Sequence, residues 1–121
     1  SLAYQTKDVV DTMQKDSGLV ITNMRVDGGA GHNDFLMQLQ SDLLNTTLTR
    51  SKVLETTALG AAYLAGLAVG FWKDTDDIIQ NWQPDCEFHP QMATEKREDL
   101  YAGWQNAVAA ARHFKHKPKR A

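Results

Sequence analysis

Gly28 and Gly29, followed one helical turn later by the amide of Asn33, are the residues of this sequence whose types and spacing best suit a ligand. A glycine pair bends the chain and exposes bare backbone that a ligand can approach. Beyond it, Leu36, Leu39 and Leu43 take helical spacing, while Leu19, Ile21 and Val26 before it belong to a run of β-formers. The order is therefore strand, tight turn, helix. A helix opening at such a turn offers unpaired N–H groups and partial positive charge to a phosphate or a polar ring edge. Asn33 can cap those N–H groups or present a donor and an acceptor to an adenine edge, and the residue types leave both roles open. His32, inside the turn, can donate to a ligand or face solvent. Asp27, at the end of the strand, more often fixes such a turn by bonding backbone N–H groups than it does chemistry.

Rival chemistries fit less well. Gly29-Ala30-Gly31-His32-Asn33-Asp34 follows a strand as a dinucleotide fingerprint should. Asp34 stands where that fingerprint needs its third glycine, which would obstruct helix–strand packing and place negative charge beside a pyrophosphate. No G-x-x-x-x-G-K-[ST] run is present, which excludes a P-loop. Among His32, His89, His113 and His116 only the last two share helical spacing, near a terminus expected to fray, so structural or solvated histidines are the expectation. Cys86 is a single thiol without an activating neighbour in sequence and is read as idle, consistent with a reducing compartment.

The elements that must position the turn come from length and pattern. The chain has 121 residues, 42% hydrophobic and 23% charged, with a formal net charge of −2, which gives no general reason to expect nucleic-acid or membrane binding. One domain with a real core is expected. Residues 3 to 16 predict a modest amphipathic helix stopped at Ser17-Gly18. Leu19 to Val26 predicts an interior strand covered on two sides, and Asn45 to Arg50 a short edge or terminal strand. Glu55 to Gly70 predicts a helix apolar on nearly every face, hence buried, with small residues allowing close backbone approach. The apolar run from Ala58 to Trp72 would span about 22 Å as a helix, short of a hydrocarbon core of roughly 30 Å. Asp74 to Asp77 suits a helix N-terminus ahead of Ile78, Ile79 and Trp82. Residues 83 to 90, with two prolines, predict a loop. A last helix is expected over residues 94 to 114, with Leu100, Trp104, Val108 and Ala111 on one stripe, and a frayed basic tail over 115–121. The chain opens within helical spacing, which reads as a piece of a longer protein.

One resemblance gathers these features. Arg25-Val26-Asp27-Gly28-Gly29-Ala30, Asn33, Phe35-Leu36-Met37-Gln38, Gln40-Ser41-Asp42, the run from Glu55 to Trp72, and Tyr101-Ala102-Gly103-Trp104 closely resemble, in that order, the C-terminal end of the glycerol kinases, bacterial ones in particular. The likeness extends from Ala3-Tyr4-Gln5-Thr6 to about Val108. Glycerol kinases are FGGY carbohydrate kinases, two-domain enzymes of the actin-like, ribonuclease H-like ATPase superfamily. The resemblance thus implies an α/β fold, helix-rich with few strands, with residues 1–121 forming part of the C-terminal, nucleotide-binding domain.

It further implies an enzyme that moves the γ-phosphoryl of ATP, with Mg²⁺, to glycerol, giving sn-glycerol 3-phosphate in the cytoplasm. The family's nucleotide contacts fall on Gly29 and Asn33, with Gly28 a neighbour through its backbone. No catalytic residue and no metal ligand is expected in this chain. The phosphate-binding turn, the glycerol-binding side chains and the catalytic aspartate are expected upstream, so the piece alone should be inactive. Its expected partners are the rest of the kinase chain, glycerol at a site outside these residues, and a second copy in a homo-oligomer, with neither nucleic acid nor membrane. Asn33-Asp34 departs from the two asparagines of many relatives, and Gly31-His32 stands where other small residues are common. Two alternatives stay open: the same region of a related pentulose or hexulose kinase, or a non-catalytic piece that self-associates.

Overall fold

The computed structural model describes residues 1–52 and 55–114. Helix α1 (Leu2–Ser17) buries Ala3 and Val10 and ends at Gly18, a left-handed cap whose N–H bonds the Gln14 carbonyl, as the sequence predicts. The Gln14 side chain then accepts from the Ile21 N–H at 2.8 Å, turning the chain back towards the sheet. Strand β1 (Asn23–Val26) is shorter than the predicted one: Val20 is 82% exposed, outside the ladder. A single 3₁₀ turn, Gly29–His32, leads into α2 (Asp34–Leu44), which crosses over to β2 (Thr47–Ser51). β1 and β2 pair in parallel, Met24 beside Leu48 and Val26 beside Arg50.

Three sequence expectations are corrected by β3 (Pro84–Phe88), which pairs antiparallel with β2, Leu48 opposite Phe88. The stretch predicted as a loop is a strand, and β2 lies at the centre of the order β1-β2-β3, leaving β1 at an edge. Pro84 misled the sequence reading because proline cannot donate to a ladder; it opens an outer strand, where that donor is dispensable. Val10, Met37, Leu44, Leu48 and Phe88 form the core, with Ile21, Met24, Val26 and Leu36 packed around them. α1 and α2 thus cover the sheet through one apolar seam.

Helix α3 (Thr56–Ala68) differs most from expectation. It was expected to be buried, yet Leu64 is 72% exposed and Gly66 is its one buried residue among those described. It is apolar all round, without a stripe to select one packing face, and the described chain covers only part of it. Its small residues do admit a close neighbour at one point: the Trp72 ring occupies the space where a Gly66 side chain would stand, 2.1 Å from an added Cβ. Tyr63 and Phe71 meet that ring edge-on. Helix α4 (Thr75–Asn81) begins at Asp74, whose carboxylate accepts from the Asp77 N–H at 3.0 Å.

Helix α5 (Thr94–His113) returns along α1. Leu100, Trp104 and Val108 are half-buried as predicted, whereas Ala111 is exposed. Asp8 on α1 holds it, accepting from the Tyr101 hydroxyl at 2.5 Å and the Trp104 indole N–H at 2.8 Å, while the Tyr4 and Trp104 rings stack at 5.5 Å. The basic tail predicted over 115–121 lies outside the described residues.

The Asp8 hydrogen bond, with burial added, pushes the Tyr101 phenol up to about 12. A group whose folded-state pKa is raised contributes stability that is complete below its unfolded value, about 10 for tyrosine, and is lost as pH climbs through the folded value. Denaturation midpoints should therefore fall between pH 10 and 12, and Tyr101→Phe should remove part of that fall. An unaltered alkaline profile in the variant contradicts the clasp. Gly66→Ala should loosen α3 from Trp72 and cost about 1–3 kcal/mol of stability, as overpacking does, read by the same denaturation experiment with Trp72 fluorescence as the reporter.

Candidate functional site

The parallel pairing of β1 with β2 sends both carboxyl ends to one side of the sheet, the side on which open α/β sheets bind ligands. The turn predicted from the glycines sits there. Gly28 has φ 86° and ψ 169°, a region essentially confined to glycine, so its identity is dictated by the backbone. The Gly31 N–H then bonds the Gly28 carbonyl at 3.0 Å and the Asn33 N–H bonds the Ala30 carbonyl at 3.2 Å, closing the 3₁₀ turn.

Gly29 is different. Its φ lies outside the left-handed range, and no heavy atom lies within 4 Å of where its Cβ would stand. Neither conformation nor packing within the described chain requires glycine there. What the absent side chain leaves is open backbone at the mouth of the sheet, the shape a closely approaching ligand needs.

Asn33 is the N-cap of α2: its Oδ1 accepts from the Leu36 N–H at 3.0 Å and its carbonyl accepts from the Met37 N–H. Capping is thus a role the amide fills, and it employs only the oxygen; the two Nδ2 donors remain for a second role. Gly28, Gly29 and Asn33, proposed from sequence as one constellation, are brought together within one turn. His32 and Asp27 beside them are exposed. Asp27 also lines a cleft of about 180 Å³ with Val26, Ser51, Tyr63 and Trp82, next to Arg25, whose guanidinium lies 4.4 Å from the Trp82 ring centre.

Sequence reasoning missed Arg50. From β2 its Nη1 donates to the Gly31 carbonyl at 3.0 Å and to Asp34 Oδ1 at 2.6 Å, while Nε donates to Asp85 Oδ2 at 3.0 Å. The Asp34 hydrogen bond raises its pKa above even the usual arginine value. Asp34, the residue that rules out a dinucleotide fingerprint, turns outward with 75% of its side chain exposed. A lone cation closing a strand of threonines and leucine was the signal in the sequence, but its partners are 16 to 35 residues away.

Of the histidines, His89 lies 3.3 Å from the Thr47 hydroxyl and 3.4 Å from Glu87 on the surface, His113 ends α5, and His116 lies outside the described residues. Among the described residues no three His, Cys, Asp or Glu side chains gather as a metal would require. No helix among them is long and apolar enough to cross a membrane.

Residues 1–69 match the family described as FGGY family of carbohydrate kinases, C-terminal domain. The glycerol kinase of Pediococcus pentosaceus is 62% identical over 119 residues, 98% of this chain and 24% of that relative. Among solved structures, Plasmodium falciparum glycerol kinase with ADP superposes with a TM-score of 0.76 at 35% identity, over 95% of this chain and 23% of that one. A ligand-bound xylulose kinase from Lactobacillus acidophilus matches with a TM-score of 0.58 at 29% identity, over 74% of this chain and 19% of that one. The chain therefore spans about a quarter of the length of the glycerol kinases it matches.

The two glycines should separate in a stability measurement. Gly28→Ala forces a side chain into a region it avoids and should cost about 1–3 kcal/mol; Gly29→Ala should stay within about 0.5 kcal/mol of the parent. Equal losses on chemical denaturation would contradict the assignment of Gly28 to conformation and Gly29 to an open surface.

Proposed function

Since the chain belongs to the FGGY family of carbohydrate kinases, within the C-terminal domain, we propose that its Gly28–Asn33 turn is the adenine-nucleotide contact of a glycerol kinase. The observation that carries the reading is Gly29, a glycine that nothing in the described chain requires, placed at the carboxyl end of β1 beside the amide of Asn33. Gly28 bends the backbone, Gly29 lets the nucleoside lie against it, and Asn33 offers its Nδ2 donors to an acceptor on the base or ribose. The ADP named with the Plasmodium structure supports a nucleotide as the ligand class.

The whole enzyme, on this reading, transfers the γ-phosphoryl of ATP to glycerol and yields sn-glycerol 3-phosphate. Phosphoryl transfer depends on positioning and on charge stabilisation around the γ-phosphate. This chain supplies positioning at the adenosine end. The described residues assemble no donor set for Mg²⁺, so no step is assigned to it here, and the metal, the phosphate-binding turn, the glycerol site and the base belong to the rest of the kinase chain. That remainder is the first partner proposed, and the exposed Leu64, Val69 and Phe71 around α3 support such a contact. Pairing of whole kinases in a homo-oligomer and a cytoplasmic location complete the proposal. A pentulose or hexulose kinase is the second reading, and the glycerol kinases fit better by identity, coverage and superposition.

The test is kinetic, in the intact kinase carrying these residues. Asn33→Ser keeps an N-cap oxygen but removes the Nδ2 donors, and Gly29→Ala fills the open surface. Each should raise the KM for ATP by about tenfold, the equivalent of one lost hydrogen bond or contact, with the KM for glycerol unchanged. An unaltered ATP KM in both variants rejects the nucleotide site.

A further inference from the structure

A carboxylate beside the turn proposed to receive an anionic nucleotide needs an explanation. Asp34 is the first residue of α2, where the helix dipole favours a negative charge, but the same charge opposes a nucleotide arriving at that helix end. The answer lies on the neighbouring strand. Arg50 is buried to 13% side-chain exposure, with its guanidinium 5.3 Å from the Phe88 ring centre, and its planar fork is held at one edge by Asp85 of β3 through Nε and Nη2, both 3.0 Å away. Its other nitrogen, Nη1, reaches both the carbonyl of Gly31 and the carboxylate of Asp34. Arginine alone among side chains carries donors fixed in a plane wide enough to serve several such acceptors at once.

Resting on the nucleotide reading above, we propose that Arg50 is a positioning residue for nucleotide binding: it anchors the Gly28–Asn33 turn to the centre of the sheet through Gly31 and offsets the charge of Asp34 beside it. Two consequences are separable. Loss of the anchor lets the turn shift against the nucleoside. Loss of the charge leaves Asp34 facing an anionic ligand without its counterion.

Three variants of the intact kinase test this: Arg50→Met, Arg50→Lys, and Arg50→Met combined with Asp34→Asn. Arg50→Met should raise the ATP KM by about tenfold while leaving the glycerol KM within about twofold. Asp34→Asn added to it should recover part of that loss, and Arg50→Lys, which keeps the charge without the fork, should fall between parent and Arg50→Met. Where Arg50→Met fails to fold, Arg50→Lys carries the comparison. An unchanged ATP KM in Arg50→Lys then overturns the proposal. A role confined to holding the fold would lower the melting temperature and disturb both KM values or kcat together, without recovery by Asp34→Asn, and that result also overturns it. A raised ATP KM in Gly29→Ala beside an unaffected Arg50→Met would reject this inference alone; unaffected ATP KM values in Gly29→Ala, Asn33→Ser and Arg50→Met would reject the nucleotide reading itself.

Discussion

The arrangement depends on a polar seam buried along the second half of α2. Gln40, Ser41 and Asp42 are buried in succession, and a buried polar group without a partner costs more than most single contacts contribute. Ser41 and Asp42 meet that demand with specific neighbours. The Ser41 hydroxyl lies 2.8 Å from the Thr46 carbonyl and 2.9 Å from the Phe88 carbonyl, tying the helix to the turn that leads into β2 and to β3, 47 residues on. Asp42 accepts from the Gln91 N–H at 2.7 Å, and its own carbonyl accepts from Arg97 at the start of α5. Apolar packing alone would let α2 slide on the sheet. These bonds fix one position.

Fixing the far end of α2 fixes its beginning. The crossover from β1 through α2 to β2 places the helix N-terminus at the carboxyl ends of both strands, and the 3₁₀ turn spans the gap between strand and helix. Arg50 closes the loop of constraint from the opposite side, because its strand neighbour in the parallel ladder is Val26, the last residue before the bend. The backbone at Gly28–Asn33 is thus held at both ends and through its middle carbonyl, yet its outer surface stays open. A rigid frame with a bare outer face is what close ligand approach asks for.

Much of this was legible in the sequence because it is local. The spacing of Leu36, Leu39 and Leu43, the stop at Gly18, the acids before Ile78 and the glycine pair before Asn33 each act within a few residues, and the helices and the turn appear where they predict. The departures are long-range. Asp85-Cys86-Glu87-Phe88 does alternate, turning Cys86 and Phe88 inward, but four residues between Pro84 and Pro90 are too short a pattern to outweigh the prolines until β2 offers them a partner. For the same reason β2, short and rich in threonine, reads as a margin and proves to be the centre. Arg50 gains its meaning from Gly31, Asp34 and Asp85 together, none of them near in sequence. The uniform hydrophobicity of α3 correctly signals a demand for burial, but which surface meets that demand is not a property of the helix.

On the proposed reading, a small parallel strand pair with one crossover holds the adenosine end of the nucleotide while the reacting end is served by the rest of the kinase. The most direct test is hydrogen–deuterium exchange of the intact kinase with and without ADP. Amides from Gly28 to Leu36 should gain protection on binding while those in the second half of α5 remain unchanged. Saturating ADP with no added protection across that turn would contradict the account.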